Sequence, residues 1–269
     1  MIIDFHTHAF PDKIAGATVD FLAKKANIKP HSDGTVSGLL ASLDRAGADI
    51  GVNLPVLTKP GQFDSILKFA SELNEREYTG QRIISFGGIH PAEEDIEGRL
   101  LAVKNAGILG IKIHPDYQGT YFDDPAYVKI VESAKSLGLI VITHAGFDAA
   151  YPGQPIKCTP ERVLRLLDKV GGYDKLVLAH IGGNELDAEV YSVLAGLDVY
   201  FDTAYSLRSV SEENFKRILE KHGEDKILFG SDSPWRDISE EIDIIRSYKL
   251  GKSTEEKIFS KNAIKLLGI

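Results

Sequence analysis

Hydrophobic positions in this chain gather into short unbroken runs rather than strict alternation. Ile140-Val141-Ile142, Leu176-Val177-Leu178 and Ile227-Leu228-Phe229 are examples. Runs of this kind predict strands buried on both faces, as in parallel sheets. The pattern places strands near residues 1–8, 49–56, 82–90, 107–114, 139–144, 175–180, 197–202 and 226–232. Between them the period becomes helical. Leu39, Leu40, Leu43 and Ala46 recur at helical spacing, and Gly47 stops that segment. Ile66, Leu67, Ala70 and Leu73 recur likewise. Asp124-Pro125 and Thr159-Pro160 each set a capping side chain before a proline suited to the first helical position, and Ser211 is placed to cap a helix ending near Lys221.

The strand ends fall 22 to 48 residues apart, so each gap holds a loop, a helix and the next strand. Eight such units predict a (β/α)8 TIM barrel. The rival, an open doubly wound sheet, has a glycine-rich first turn, whereas here the first strand runs into His6-Thr7-His8-Ala9-Phe10-Pro11. No linker rich in Pro, Gly or Ser divides the chain, so residues 1–269 read as one domain. Residues 9–36 read as a long first loop over the barrel mouth.

Composition narrows the function. Hydrophobic residues make up 43% of the 269, enough for a large core. The balance of 31 basic against 39 acidic residues gives −8, which disfavours nucleic acid or an anionic membrane as partners. Cys158 is the single cysteine, which excludes an intrachain disulfide framework and a cysteine metal cluster. The chain starts without a basic leader segment, and no apolar run approaches 18 residues. These features set the expectation of a cytoplasmic location.

The candidate chemistry lies at the carboxyl ends of the predicted strands. Residues two apart on a strand share a face, so His6 and His8 project together as half of a divalent metal site. His144, His180 and Asp232 end three later strands. A single buried histidine is most often a hydrogen-bonded core residue; repeated strand ends of this kind are hard to obtain by accident. Lys112 and His114 lie two apart on the fourth strand and point inward together, while His90 closes the third strand and faces the mouth. Asp4 falls on the His6 face one layer deeper, either orienting a ligand or satisfying donors of the barrel floor. Asp202 ends the seventh strand, at the site or as a cap for the next turn. Phe10, Tyr117, Phe147, Tyr151, Tyr205, Trp235 and Arg236 are the rim candidates, and His31 and His222, in polar surroundings, read as surface residues. Gly146, Gly182, Gly183 and Gly230 read as points of close backbone approach, without chemistry.

Over its whole length the chain resembles the amidohydrolase superfamily, in the amidohydrolase-related (amidohydrolase 2) subgroup. The resemblance rests on Asp4-Phe5-His6-Thr7-His8, Gly110-Ile111-Lys112-Ile113-His114-Pro115, Ile142-Thr143-His144-Ala145-Gly146, Ala179-His180-Ile181-Gly182-Gly183, Phe229-Gly230-Ser231-Asp232-Ser233-Pro234 and Lys261-Asn262-Ala263-Ile264-Lys265-Leu266-Leu267. It implies that His6, His8, His144 and Asp232 hold a divalent metal, that Asp232 also takes a proton from the attacking water, and that His180 polarises substrate or shuttles protons. One zinc ion is expected, with manganese or iron as alternatives. A second metal is expected only if Lys112 is carboxylated as in two-metal relatives; otherwise Lys112 pairs with an interior acid or lies below the metal. Lys112, His114, His90, Trp235 and Arg236 are the substrate-side candidates.

The resemblance implies a metal-dependent hydrolase of a small-molecule amide, lactone or ester as the first expectation. A non-oxidative decarboxylase of an aromatic or muconate-like carboxylate is the second. It requires a cation to hold the carboxylate, and Arg208 and Arg236 are the arginines close to late strand ends. Gly87-Gly88-Ile89-His90-Pro91 is similar to a stretch of TatD-type metal nucleases, but those place a glutamate at the fourth strand end, where this chain has Lys112 and His114. A non-catalytic metabolite-binding barrel is the last alternative, against which stands the full set His6, His8, His144, His180 and Asp232. A homodimer is expected on base rates alone.

Overall fold

Strands at all eight expected places run parallel and close into a barrel. In the computed structural model, which describes residues 1–75 and 79–269, they are β1 (Ile3–Thr7), β2 (Ile50–Asn53), β3 (Ile83–Ser85) with β4 (Gly87–Gly88), β5 (Gly110–Ile113), β6 (Ile140–Thr143), β7 (Leu176–Leu178), β8 (Tyr200–Asp202) and β9 (Ile227–Leu228). The third barrel strand is split at Phe86, whose N–H still donates to Asn53 O at 2.9 Å and carries the ladder across. The seam between β1 and the last strand is closed by Phe5 N–H to Phe229 O at 2.8 Å and by a parallel bridge between Thr7 and Ser233.

Side chains inside the barrel pack as one apolar cluster. Ile3, Phe5, Val52, Leu54, Phe86, Ile142, Val177 and Leu228 meet there, and Ala263, Leu266 and Leu267 of the last helix (Asn262–Leu267) close its lower end. A second, larger cluster fills the layer between strands and surrounding helices, including Ile111, Ile113, Val141 and Phe201. Branched residues at consecutive strand positions therefore serve two different cores, which is why the runs do not alternate.

The helices follow their caps. Helix α1 spans Asp12–Ala26, α2 Val36–Ala46, α3 Phe63–Asn74, α4 Ile96–Asn105, α5 Pro125–Leu137, α6 Pro160–Val170 and α7 Glu212–His222. Asp124 accepts from Ala126 N–H at 2.9 Å and Ser211 from Asn214 N–H at 3.2 Å, so both cap as expected. Thr159 occupies the cap position of α6 without a side-chain cap bond. Gly47 ends α2 at φ 64°, where an L side chain is strained.

Three sequence expectations are corrected here. The stretch 9–36 is not an open loop, because α1 occupies most of it. Ala15, Val19 and Ala23 form its buried stripe, and Asp12 and Lys24-Lys25 complement the helix dipole at its two ends. Small alanines on that stripe give a weak hydrophobic period, which hid the helix. His222 is a core residue, not a surface one. Its ring stacks on Phe201 at 3.8 Å, Nε2 donates to Val199 O, and burial lowers its pKa to about 4. The polar sequence around it, Glu220-Lys221-His222-Gly223, belongs to a helix end whose other turn faces bury Phe215 and Ile218.

The third correction concerns Asp4. Asp4 pairs with Gly51 but Thr7 with Asn53, so Phe5 and His6 together stand opposite Val52. This bulge re-phases the strand. Phe5 joins the interior cluster and His6, the next residue, also faces inward, while Asp4 turns to the seam. There it accepts from Ser231 N–H at 2.9 Å, Ser231 Oγ at 2.5 Å and His6 N–H at 3.2 Å. Asp4 thus fastens the first strand to the last, and burial raises its pKa to about 7 against those hydrogen bonds.

Candidate active site

The bulge and the ends of β1, β5, β6, β7, β8 and β9 bring the ionisable groups to the barrel mouth. His6 Nδ1 donates to Asp202 Oδ2 at 2.8 Å, and His8 Nδ1 donates to Leu54 O at 2.9 Å. Both imidazoles therefore carry a proton on Nδ1 and turn Nε2 inward, where His8 donates to Asp232 or, deprotonated, either ring offers a lone pair to an ion. Those two Nε2 atoms lie 3.4 and 3.0 Å from the same oxygen, Asp232 Oδ1. Two imidazole nitrogens converging on one carboxylate oxygen make a place for a positive charge, either a proton on Nε2 or a metal ion. Nζ of Lys112, 3.1 Å from His6 Nε2, supplies part of that charge. The donor set, two imidazole nitrogens and a carboxylate, fits a divalent metal such as zinc or manganese.

Asp232 is held ionised. Burial pushes its carboxyl up, but the His8 hydrogen bond and the charges of His6, His8 and His180 bring it down to about 2. Lys112 is pulled the other way: burial lowers its ammonium to about 8, against attraction from Asp202 and Asp232. Gly230, two residues before Asp232, touches His6 closely; a Cβ there would lie 2.8 Å from the His6 Cβ.

Asp202 is more than a turn cap. One oxygen orients His6, and the other accepts His180 N–H at 2.9 Å and Ala204 N–H at 3.1 Å. His180 and Ile181 sit at φ 63° and 53°, and such backbone is costly for a β-branched residue. That twist aims the His180 ring across the mouth. Its Nδ1 donates to Ala204 O at 2.8 Å and its Nε2 accepts from His144 Nδ1 at 2.9 Å. His144 Nε2 is then a buried lone pair with no hydrogen-bond partner among the described residues.

His144 does not stand within the His6, His8 and Asp232 group. It forms a second group of three with His114 and Asp148, whose ligand atoms also lie within 4.8 Å of one another. The His114 and His144 rings stack at 4.2 Å, and His114 Nε2 lies 3.3 Å from Asp148 Oδ2. Desolvation drives both imidazoles toward the neutral form and raises the Asp148 carboxyl.

A cavity of about 930 Å³ opens over these groups. Of the sequence candidates it takes in His6, His8, Lys112, His114, His144, His180, Asp232 and Trp235, and the rim residues Phe10, Tyr117, Phe147, Tyr151 and Tyr205. His90, Arg236 and Arg208 do not line it. His90 is occupied as a loop acceptor for Ala92 N–H at 3.1 Å. Arg236 lies behind Tyr205, 4.1 Å from its ring centroid. Arg208 is committed to ion pairs with Glu240 and Glu241 in the helical layer. Conversely, sequence reasoning missed Asp148 and Lys25. Asp148 lies four residues past His144 in a loop with no periodicity, and Lys25 lies on the unforeseen α1, its Nζ 3.7 Å from the Tyr151 ring centroid and 4.6 Å from that of Tyr117.

The sequence model of the amidohydrolase family matches residues 3–269. The chain belongs to the amidohydrolase family. No curated protein matches it by sequence. Solved structures resemble this amidohydrolase throughout. A 2,6-dihydroxybenzoate decarboxylase from Rhizobium is 17% identical with a TM-score of 0.70, over 99% of this chain and 98% of that one. A dihydroxybenzoic acid decarboxylase from Polaromonas sp. JS666, with bound manganese and the inhibitor 2-nitroresorcinol, is 15% identical with a TM-score of 0.73, over 99% and 96%. A probable 2-pyrone-4,6-dicarboxylic acid hydrolase from Acinetobacter baumannii, with citric acid bound, is 18% identical with a TM-score of 0.68, over 100% and 99%. At these identities the likeness carries the TIM-barrel fold alone. No described helix of this amidohydrolase is long and apolar enough to cross a membrane.

Proposed function

We propose that this amidohydrolase is a metal-dependent hydrolase of a small-molecule amide, lactone or ester. The observation that carries the reading is the cavity's charge. Asp232 is an ionised carboxylate between two imidazoles, and among the described residues no arginine lines the space where a substrate carboxylate would be clamped. His6, His8 and Asp232 would hold the ion, with the unpartnered Nε2 of His144, from the neighbouring group, the fourth candidate. A divalent ion bound there supplies Lewis acidity and acidifies a water. Asp232, already ionised, accepts the proton of the attacking water and returns it to the leaving group. His180, held at its two ring nitrogens by Ala204 O and His144 Nδ1, faces the same space and passes a proton between it and His144. Water adds to the carbonyl carbon, the bond to the amine or alcohol breaks, and the proton balance closes on the leaving group.

Decarboxylation of a small aromatic acid is the second reading. It is supported by the dihydroxybenzoate decarboxylases among the similar structures and by Lys25, a cation in the cavity apart from Lys112, which sits against His6. The deciding experiment loads purified protein with zinc or manganese. It then assays p-nitrophenyl esters, anilides and lactones beside 2,6-dihydroxybenzoate, following product and CO2. Turnover of a carbonyl substrate without CO2 release is expected. CO2 release from the benzoate, abolished in Lys25→Ala, would replace hydrolysis by decarboxylation.

A further inference from the structure

The cavity is larger than its chemistry requires, and its excess is apolar. From the imidazole cluster it continues between α1 and α3, where Phe10, Ile14, Phe21, Leu22, Ile66 and Phe69 line it. Ile14 and Phe21 leave 50% and 65% of their surface open, although α1 has a buried stripe on another face to hold it in place. Large apolar side chains left open in a cleft mark a binding surface. The acids lining the cavity among the described residues are Asp148 and Asp232, both at the barrel end. The wall formed by α1 and α3 thus offers no anion and one cation, Lys25. Between Ile14 and Lys25 that wall runs about 16 Å at the helical rise of roughly 1.5 Å per residue.

We infer that the substrate carries an unbranched hydrocarbon arm of medium length, which lies between α1 and α3 while its scissile carbonyl reaches the His6, His8 and Asp232 end. This rests on the hydrolase reading for the carbonyl, but the arm itself needs only the groove. The occupant is a small molecule rather than a protein because the groove is concave and runs directly into the buried imidazoles. A protein partner needs about 800 Å² of matching surface on its side, and α1 exposes just two large apolar side chains, Ile14 and Phe21.

Two measurements test it. In the first, kcat/KM is determined for p-nitrophenyl acetate, butyrate, hexanoate and octanoate with the metal-loaded protein. Burial of the chain predicts a rise of about fourfold per CH2, and Phe21→Ser and Ile66→Ser flatten that rise. In the second, 1-butanol, 1-hexanol and 1-octanol are titrated against the emission of Trp235, the single tryptophan, which lines the cavity. Affinity rising with chain length is expected, and it needs no turnover. If octanol binds best but no ester is cleaved, the groove stands and the hydrolase reading falls. Esters cleaved at rates independent of chain length, with octanol no better than butanol, would overturn the inference. So would a parent protein that is dimeric while Phe21→Ser is monomeric, with octanol binding unchanged, since the α1 face would then be a contact between copies.

Discussion

Two groups of three similar side chains face each other across the barrel mouth, and they behave oppositely. His6, His8 and Asp232 come from adjacent strand ends at the closing seam. His114 and His144 follow β5 and β6, but their carboxylate, Asp148, comes from a loop. In the first group the carboxyl is pulled down to about 2, because two imidazoles and His180 surround it. In the second, burial raises the Asp148 carboxyl, with a hydrogen bond from Ala150 N–H and the His180 charge only partly offsetting it. The same residue types therefore give a committed anion on one side and a carboxyl closer to neutrality on the other. What separates them is the number of cationic and donor groups each carboxylate meets, not depth of burial.

The largest effect that would sharpen this contrast is in catalysis. Asp232→Asn is expected to lower kcat by about 10³-fold while circular dichroism stays unchanged, since a positioned base contributes roughly 10²–10⁴. Asp148→Asn should cost only about tenfold in the same assay. Equal losses would erase the distinction between the two groups.

The next effect is on metal affinity. Asp202→Asn removes the acceptor that fixes the His6 tautomer, and loss of such a partner typically costs 10- to 100-fold. Competition with a chromogenic chelator reads it directly. An unchanged affinity would move the metal away from His6 and toward the second group.

The smallest effect lies outside both. Glu241 is fully buried near Arg208 and Arg236, and burial raises its carboxyl to about 7 despite those charges. A raised acid pKa contributes stability that is full below about 4.5 and is lost as pH climbs through 7. Glu241→Gln escapes that loss. Denaturant unfolding should show it about 1–3 kcal/mol more stable than the parent at pH 8, with the gap vanishing near pH 4. A gap that widens toward acid would reverse the assignment.

The fold was legible because burial on both faces writes itself into consecutive branched residues. Ile140-Val141-Ile142 names a strand and His144 names its end. The pair His6 and His8 was legible because the bulge at Phe5 and His6 leaves the spacing of two beyond it intact. Asp4 was misplaced because a bulge leaves no mark in composition. His222 and α1 were misread because a polar stretch at a helix end and a stripe of alanines both weaken the hydrophobic period. Asp148 and Lys25 carried no signal, because loop and helix positions reach the mouth only through packing.

The amino-acid sequence by itself determined the barrel, the family and the set of imidazoles and carboxylates at the strand ends, since each follows from local runs and fixed spacing. Only the tertiary structure decided which oxygen each imidazole faces, that His144 sits with His114 and Asp148, that no described arginine enters the cavity, and that α1 adds an apolar wall. Those outcomes depend on distances between residues as far apart as His6 and Asp232, and such distances are set by closing the barrel rather than by any stretch of neighbouring residues.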